Sequence, residues 1–133
     1  MIDTLAIWHE IAESHDINKL DSILAEDAVL ISPVVHTPQK GRAITKMYLH
    51  AAMKVLANDT FRYTRTTKDQ DGVIMEFETQ IDGVVINGVD MVKWNEDGLI
   101  TEFKVMVRPL QAVNKLHQMM GEMLQQLGQK PPK

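Results

Sequence analysis

The stretch that decides the fold runs from Asp71 to Arg108 and reads DGVIMEFETQIDGVVINGVDMVKWNEDGLITEFKVMVR. In its first part, Glu and Gln alternate with a second, less polar set of side chains, namely Met75, Phe77, Thr79 and Ile81. Asp-Gly pairs stand at 71–72, 82–83 and 97–98. A period of two is typical of β-strands, and Asp-Gly favours the tight turns of hairpins. The segment that follows Asp59 and ends at Arg108 therefore predicts four antiparallel strands joined by three hairpins.

Helical patterns lie on both sides of this predicted meander. Upstream, the segments that begin near Thr4, near Asn18 and after Gly41 place apolar residues three or four positions apart. The short apolar run at 28–31 predicts a buried strand between the second and third of these helical segments. Downstream, the segment after Pro109 repeats apolar residues at helical spacing. This order predicts an α+β fold in which helices pack on one face of a curved antiparallel sheet, and such packing leaves room for a cavity.

The composition argues against several classes of protein. A chain of 133 residues fits one domain, residues 1–133, and 44% of it is hydrophobic. No apolar run approaches the roughly 20 residues that span a bilayer, so no membrane association is expected. Residues 1–4 lack the pattern of a secretory signal, which makes a cytoplasmic location the expectation. The absence of cysteine excludes disulfides and sulfur-ligated metals, and a formal charge of −4 argues against a nucleic-acid partner.

Two parts of the chain resemble a known superfamily. The first comprises residues 24–33, LAEDAVLISP, with residues 40–44, KGRAI, and the second comprises residues 89–100, VDMVKWNEDGLI. They are similar to a strand, a glycine-started helix and the final hairpin of the nuclear-transport-factor-2-like, SnoaL-like and ketosteroid-isomerase-like superfamily. The resemblance covers nearly the whole chain. It implies a cystatin-like roll, in which N-terminal helices and a C-terminal helix wrap a cone-shaped curved sheet around an apolar pocket.

The resemblance also implies roles for three positions. In ketosteroid isomerases a protonated aspartate on the third hairpin strand donates a hydrogen bond to the developing oxyanion, and Asp90 falls at that position. The partner tyrosine of the first helix falls on Trp8, and the general-base aspartate falls on Ser32. An indole cannot act as an acid, and a serine hydroxyl needs an activating base to move a proton. The chain therefore looks more like the SnoaL-branch polyketide cyclases, in which a single aspartate suffices as acid and base.

Alternation places Asp90 on the same strand face as Ile86, Gly88 and Val92. A carboxyl in apolar surroundings is harder to ionise, so we expect its pKa to rise and Asp90 to act as an acid or base near neutral pH. The alternatives are that Asp90 caps a turn, pairs with a lysine or points to solvent. His36, in the loop before the long helix, is a candidate second catalytic acid or base, or simply a solvated histidine.

Six further residues are candidates for ligand binding, because they are aromatic or apolar and lie on predicted inner faces: Trp8, Tyr48, Phe77, Val92, Phe103 and Val105. For Trp8 and Tyr48, the alternative interpretation is a place in the ordinary core. No metal or cofactor is expected. The segment 9–13, HEIAE, is similar to a zinc-binding helix motif but lacks its second histidine.

The opposite face of the predicted sheet carries more apolar residues than a free surface needs, namely Val85, Val89, Met91 and Met106. A homodimer through this outer face is the simplest interpretation. The leading hypothesis is a SnoaL-like protein that binds a small, largely apolar molecule and performs isomerase-, cyclase- or dehydratase-like proton transfer at Asp90. The alternative is a non-catalytic dimeric ligand-binding or assembly module with the same fold.

Overall fold

The computed structural model describes residues 2–128. Its elements follow in the order α1 (Thr4–Ser14), a 3₁₀ helix (Ile17–Ser22), β1 (Leu24–Ile31), β2 (Gln39–Lys40), α2 (Arg42–Leu56), β3 (Arg62–Asp69), β4 (Gly72–Ile81), β5 (Val84–Trp94), β6 (Ile100–Arg108) and α3 (Leu110–Gln126). The α+β fold class is confirmed, with helices before and after the four-stranded meander. The predicted strand 28–31 is the C-terminal half of β1, and the pattern did not indicate β2.

The six strands form one sheet, which is curved but not closed, in the order β2-β1-β6-β5-β4-β3. Strands β3 to β6 pair as the predicted antiparallel meander. The pairing of β1 with β6 is parallel, so the expectation of a wholly antiparallel sheet is wrong at this position. The reason lies in the connection. The chain passes from β2 through α2 to the opposite edge of the sheet, and the meander then brings β6 back beside β1 in the same direction.

Local sequence signals explain the limits of α1 and of the β4–β5 hairpin. Asp3 caps α1, because its Oδ1 accepts a hydrogen bond from the backbone N–H of Ala6 at 3.1 Å. His15 ends this helix in the left-handed conformation, with φ of 59°. The hairpin turns at Asp82 and Gly83, whose φ values of 51° and 81° are those that a two-residue turn needs to match the strand twist.

Helices α2 and α3 pack against β1, β5 and β6, and we call the sheet face that they cover the inner face. Its residues are buried, as Phe77 and Phe103 show with 1% exposure each. Gly88 is the small residue on this face. A Cβ atom there would lie 2.4 Å from Cζ of Phe77, so only a glycine lets the Phe77 ring lie across β5. The opposite face is called the outer face below.

Candidate functional site

A cavity of about 80 Å³ lies between the inner face and the three helices. This volume is several times the roughly 10–15 Å³ that one water needs. Five of the predicted ligand-binding residues line it, namely Trp8, Tyr48, Phe77, Phe103 and Val105. Asp90 also lines it and is the only charged residue among the described lining residues, most of which are apolar. The cavity therefore suits an apolar molecule that brings a polar group to one carboxyl.

Asp90 lies in the middle of β5, opposite Met75 of β4 and Val105 of β6. Only 6% of the residue is exposed. Burial raises the pKa of its carboxyl from the ordinary 3.8 to about 7, and a hydrogen bond from Tyr63 lowers it and so offsets part of the rise. Both protonation states are therefore populated near neutral pH, which is the condition for a group that both takes up and releases a proton.

Two consecutive hydrogen bonds link Trp8 of α1 to Tyr63 of β3 and Tyr63 to the Asp90 carboxyl of β5. The hydroxyl of Tyr63 donates to Oδ2 of Asp90 at 2.9 Å, and Nε1–H of Trp8 donates to the Tyr63 hydroxyl at 2.9 Å. Burial, first, and the charge of Asp90, second, raise the pKa of Tyr63 well above its ordinary value. Tyr63 is therefore a neutral hydrogen-bond donor under ordinary conditions.

The direction of these hydrogen bonds follows from the groups that form them. An indole nitrogen can only donate, so the Tyr63 oxygen accepts from Trp8 and its own proton points to Oδ2 of Asp90. In the neutral acid the proton consequently lies on Oδ1. No described group hydrogen-bonds Oδ1, and none of the described side-chain oxygens is both fully buried and without a partner. Oδ1 therefore opens onto the cavity and is the atom that can exchange a proton with a ligand.

Aromatic neighbours fix the position of Tyr63. Its ring meets the ring of Phe61 nearly at a right angle, with centroids 5.1 Å apart, and meets that of His9 edge-on at 5.5 Å. The Trp8 ring packs against Phe103 with centroids 4.9 Å apart. Edge-to-face contacts of this kind favour defined ring orientations. The hydroxyl and the indole N–H are therefore held in place by the packing of their rings.

Tyr63 is the site residue that sequence reasoning missed, and the tyrosine of the isomerase site was expected to be replaced by Trp8. A phenol does reach Asp90, but from β3 rather than from α1. Trp8 lines the cavity as expected, yet its N–H is used by Tyr63. The available signal was the pairing of Tyr63 with Phe77 across the first hairpin. A register shift between Tyr63 and Arg65 interrupts the alternation of β3 and conceals that signal.

Three other positions from the sequence analysis differ in their placement. Ser32 lines the cavity, and its Oγ accepts a hydrogen bond from the N–H of Val34 at 3.1 Å within the loop. His36 is exposed and lies outside the cavity lining, so its position does not fit the expected catalytic role. Val92 is buried on the inner face but does not line the cavity either. The inner face of β5 extends beyond the cavity, so a residue on the same face as Asp90 does not necessarily line the cavity.

The fold and the site together define a small α+β protein with one buried carboxyl on the wall of an apolar cavity. The sequence profile of the SnoaL-like domain matches residues 6–103, and the chain belongs to this family. The expected resemblance to the nuclear-transport-factor-2-like superfamily is thus confirmed. A comparison with curated proteins gives no match.

Solved structures of similar proteins agree with this assignment. The chain is 34% identical to a steroid delta-isomerase from Pseudomonas aeruginosa, over 93% of this chain and 90% of that one, with a TM-score of 0.87. It is 28% identical to an uncharacterized protein with a cystatin-like fold from Silicibacter pomeroyi, over 94% and 87% of the two chains, with a TM-score of 0.85. An epoxide hydrolase/cyclase-like enzyme of salinomycin pyran-ring formation, SalBIII, shares the fold at 17% identity, over 80% and 88% of the chains, with a TM-score of 0.62.

None of the helices in the described part of the chain is long and apolar enough to cross a membrane. The cytoplasmic location expected from the N-terminal sequence stays a prediction.

Proposed function

We propose that the protein binds a small, largely apolar ketone in the cavity and exchanges a proton with it through Asp90. The observation that carries the proposal is a carboxyl on an apolar wall, with a pKa raised to about 7 and with Oδ1 open to the cavity. The likeness to a steroid delta-isomerase supports a ketone as the ligand class, because such a reaction moves a proton next to a carbonyl group.

The proposed chemistry needs only one carboxyl. The ionised Asp90 takes a proton from the carbon next to the carbonyl on Oδ1, and the electron pair of that C–H bond moves to form an enolate. The protonated Asp90 then returns its proton to the same carbon or to a conjugated one, and the enolate becomes a ketone again. Tyr63 acts through Oδ2 as a positioning residue, because its hydrogen bond stabilises the ionised carboxyl that begins the cycle.

Proton exchange on a simple ketone tests this function. Purified protein is mixed with 2-decalone in D₂O, and the loss of the hydrogens next to the carbonyl is followed by NMR. We expect catalysed exchange with the wild type and none above background with Asp90→Asn. Asp27→Asn is the matched control, because Asp27 is an exposed carboxylate of β1 that does not line the cavity. Binding without exchange would favour the non-catalytic alternative, and the absence of both would refute the proposal.

We also propose that the protein is a homodimer through the outer face of the sheet. Three large apolar residues are half exposed there, Ile74 at 46%, Val85 at 50% and Met106 at 50%. Beside them, Glu76 accepts two hydrogen bonds from Arg65 at 3.0 and 2.7 Å and a third from Asn87 at 3.0 Å. An apolar patch with a polar rim is typical of protein interfaces.

Sedimentation velocity at micromolar concentration tests the dimer. We expect the wild type to sediment as a dimer and Met106→Glu as a monomer, because the substitution places a charge in the centre of the apolar patch. Gln125→Glu adds the same charge on the exposed side of α3 and should leave the dimer intact. A monomeric wild type would end this proposal without affecting the one for Asp90.

A further inference from the structure

We propose that two copies of this chain associate through their helices, with an acidic surface of α1 in one copy against a basic surface of α2 in the other, and reciprocally. The acidic surface comprises Asp3, Glu10 and Glu13, and the basic surface comprises Lys46, His50 and Lys54. This contact uses neither the outer face of the sheet nor the Asp90 cavity, so it stands or falls independently of both earlier proposals.

The charges of the N-terminal part of the chain are divided into two segments of opposite sign. Residues 1–27 contain seven aspartates and glutamates and one lysine, Lys19. Residues 28–58 contain Lys40, Arg42, Lys46 and Lys54 and no acidic residue. The first segment includes α1 and the second includes the whole of α2. Each copy therefore carries both partners of an electrostatic contact on two different helices.

Each set of charges lies on one side of its helix. Positions 3, 10 and 13 are spaced by seven and three residues, and all three carboxylates are exposed, whereas Trp8 and Ile11 on the other side of α1 are buried. Positions 46, 50 and 54 of α2 are four residues apart. At a rise of about 1.5 Å per residue, the acidic set extends over about 15 Å and the basic set over about 12 Å. The two sets are therefore similar in length.

Ion pairs within one copy satisfy only part of these charges. Glu10 pairs with Lys19, and Nζ of Lys46 lies 2.9 Å from Oδ2 of Asp21. Glu13 and Lys54 are both exposed, and neither forms an ion pair or a side-chain hydrogen bond with any residue in the described range 2–128. One carboxylate on α1 and one ammonium group on α2 thus remain available to a partner, and we place them opposite each other in the contact.

His50 indicates that the charges of the basic surface act together. Burial, first, and then the charges of Lys54 and Lys46 lower the pKa of its imidazole. The imidazole therefore lies between two ammonium groups on the same side of α2. Like charges four residues apart destabilise a helix surface, and carboxylates of a docked helix would relieve that repulsion.

A second copy fits these surfaces better than other anions do. A nucleic acid is disfavoured by the formal charge of −4 on the whole chain. A single phosphate is too small to meet ammonium groups on both sides of His50. A second copy supplies carboxylates on a helix over a matching length. The 3₁₀ helix Ile17–Ser22 contacts both α1 and α2, so the two surfaces are near enough for one partner to meet both, and a two-fold arrangement uses each surface twice.

Sedimentation velocity over a range of protein concentrations tests the contact. All variants carry Met106→Glu, so that the outer face does not contribute. We expect pairs at about 20 mM salt and single copies at about 500 mM salt, because salt screens exposed charges. Glu13→Lys and Lys54→Glu should each raise the dissociation constant at low salt about tenfold or more, since each sets like charges opposite one another twice. An equimolar mixture of these two variants should pair again, because the lysine introduced on α1 then faces the glutamate introduced on α2.

Two matched charge changes serve as controls. Glu122→Lys on α3 and Lys68→Glu on β3 alter exposed positions outside both surfaces and should leave pairing at low salt unchanged. Single copies at low salt before either surface is altered, or a mixture that fails to pair, would overturn the inference. Pairing that persists at high salt would overturn it as well, because the contact would then not depend on these charges. None of the four positions lines the cavity, so ketone exchange remains a separate test.

Discussion

The hydroxyl of Tyr63 lies 2.9 Å from Oδ2 of Asp90, although the two residues are 27 positions apart and stand on strands that do not pair with each other. Strand β4 separates them in the sheet, so the phenol reaches across it on the inner face. The contact sets two properties of the carboxyl at once. It reserves Oδ2 as an acceptor, and it offsets part of the rise in pKa that burial causes.

Removal of the Tyr63 hydroxyl should therefore raise the pKa of Asp90 further. In Tyr63→Phe, burial of Asp90 persists while the hydrogen bond that lowers its pKa is lost, so we expect a value above the present one of about 7. The carboxyl carbon of Asp90, followed by ¹³C NMR over a pH series, measures this directly. Tyr48→Phe is the control, because Tyr48 makes no hydrogen bond to Asp90. An unchanged or lower pKa in Tyr63→Phe would contradict the assigned contact.

The raised pKa of Asp90 should make the protein less stable as pH rises. The folded value of about 7 lies above the unfolded value of 3.8, so between these limits the folded state binds more protons than the unfolded state. The free energy of unfolding consequently falls as pH increases from about 4 to about 7, by up to roughly 4 kcal/mol for this one group.

Urea unfolding at pH 4.5 and pH 8 measures that change. Asp90→Asn cannot ionise and should be less sensitive to pH than the wild type over this range. Asp27→Asn, which removes an exposed carboxylate, should retain the wild-type dependence. If the unfolding free energy changed with pH to the same extent in the wild type and in Asp90→Asn, Asp90 would ionise equally easily in the folded and unfolded states. That result would contradict the raised pKa.

A methyl group at Gly88 should displace the ring of Phe77, which lines the cavity. The added Cβ would lie 2.4 Å from Cζ of Phe77 and 2.8 Å from the backbone oxygen of Met106, so the ring has to move. We expect Gly88→Ala to lose about 1–3 kcal/mol of unfolding free energy and to bind ketones more weakly. Gly121→Ala is the opposite case, since a Cβ there meets nothing within 4 Å and α3 gains roughly 0.5–1 kcal/mol. Equal stability of the two variants in urea would contradict this packing.

Much of the fold was predictable because its signals are local. Alternation and three Asp-Gly pairs gave the meander, and the phase of β5 placed Asp90 on the buried face. The parallel pairing of β1 with β6 was not predictable in this way, because it depends on where α2 carries the chain. The contact of Tyr63 with Asp90 was not predicted for a related reason. Strand β3 is mostly polar, and its register shifts just after Tyr63, so alternation does not show which face the tyrosine occupies. Periodicity assigns a face, whereas hydrogen bonds across two strands depend on register.

Trp8 should influence Asp90 less than Tyr63 does, because it acts through the Tyr63 hydroxyl. In Trp8→Phe the N–H donor is lost while an aromatic ring remains against Phe103. A hydroxyl that accepts a hydrogen bond is a stronger donor in turn, so its bond to Oδ2 weakens and the pKa of Asp90 rises, though less than in Tyr63→Phe. The same ¹³C titration ranks the variants, and His36→Ala, at an exposed position outside the cavity lining, should match the wild type. A Trp8→Phe titration that coincides with the wild type would mean that Tyr63 donates equally well without the indole, and the influence of α1 on the carboxyl would then be limited to packing.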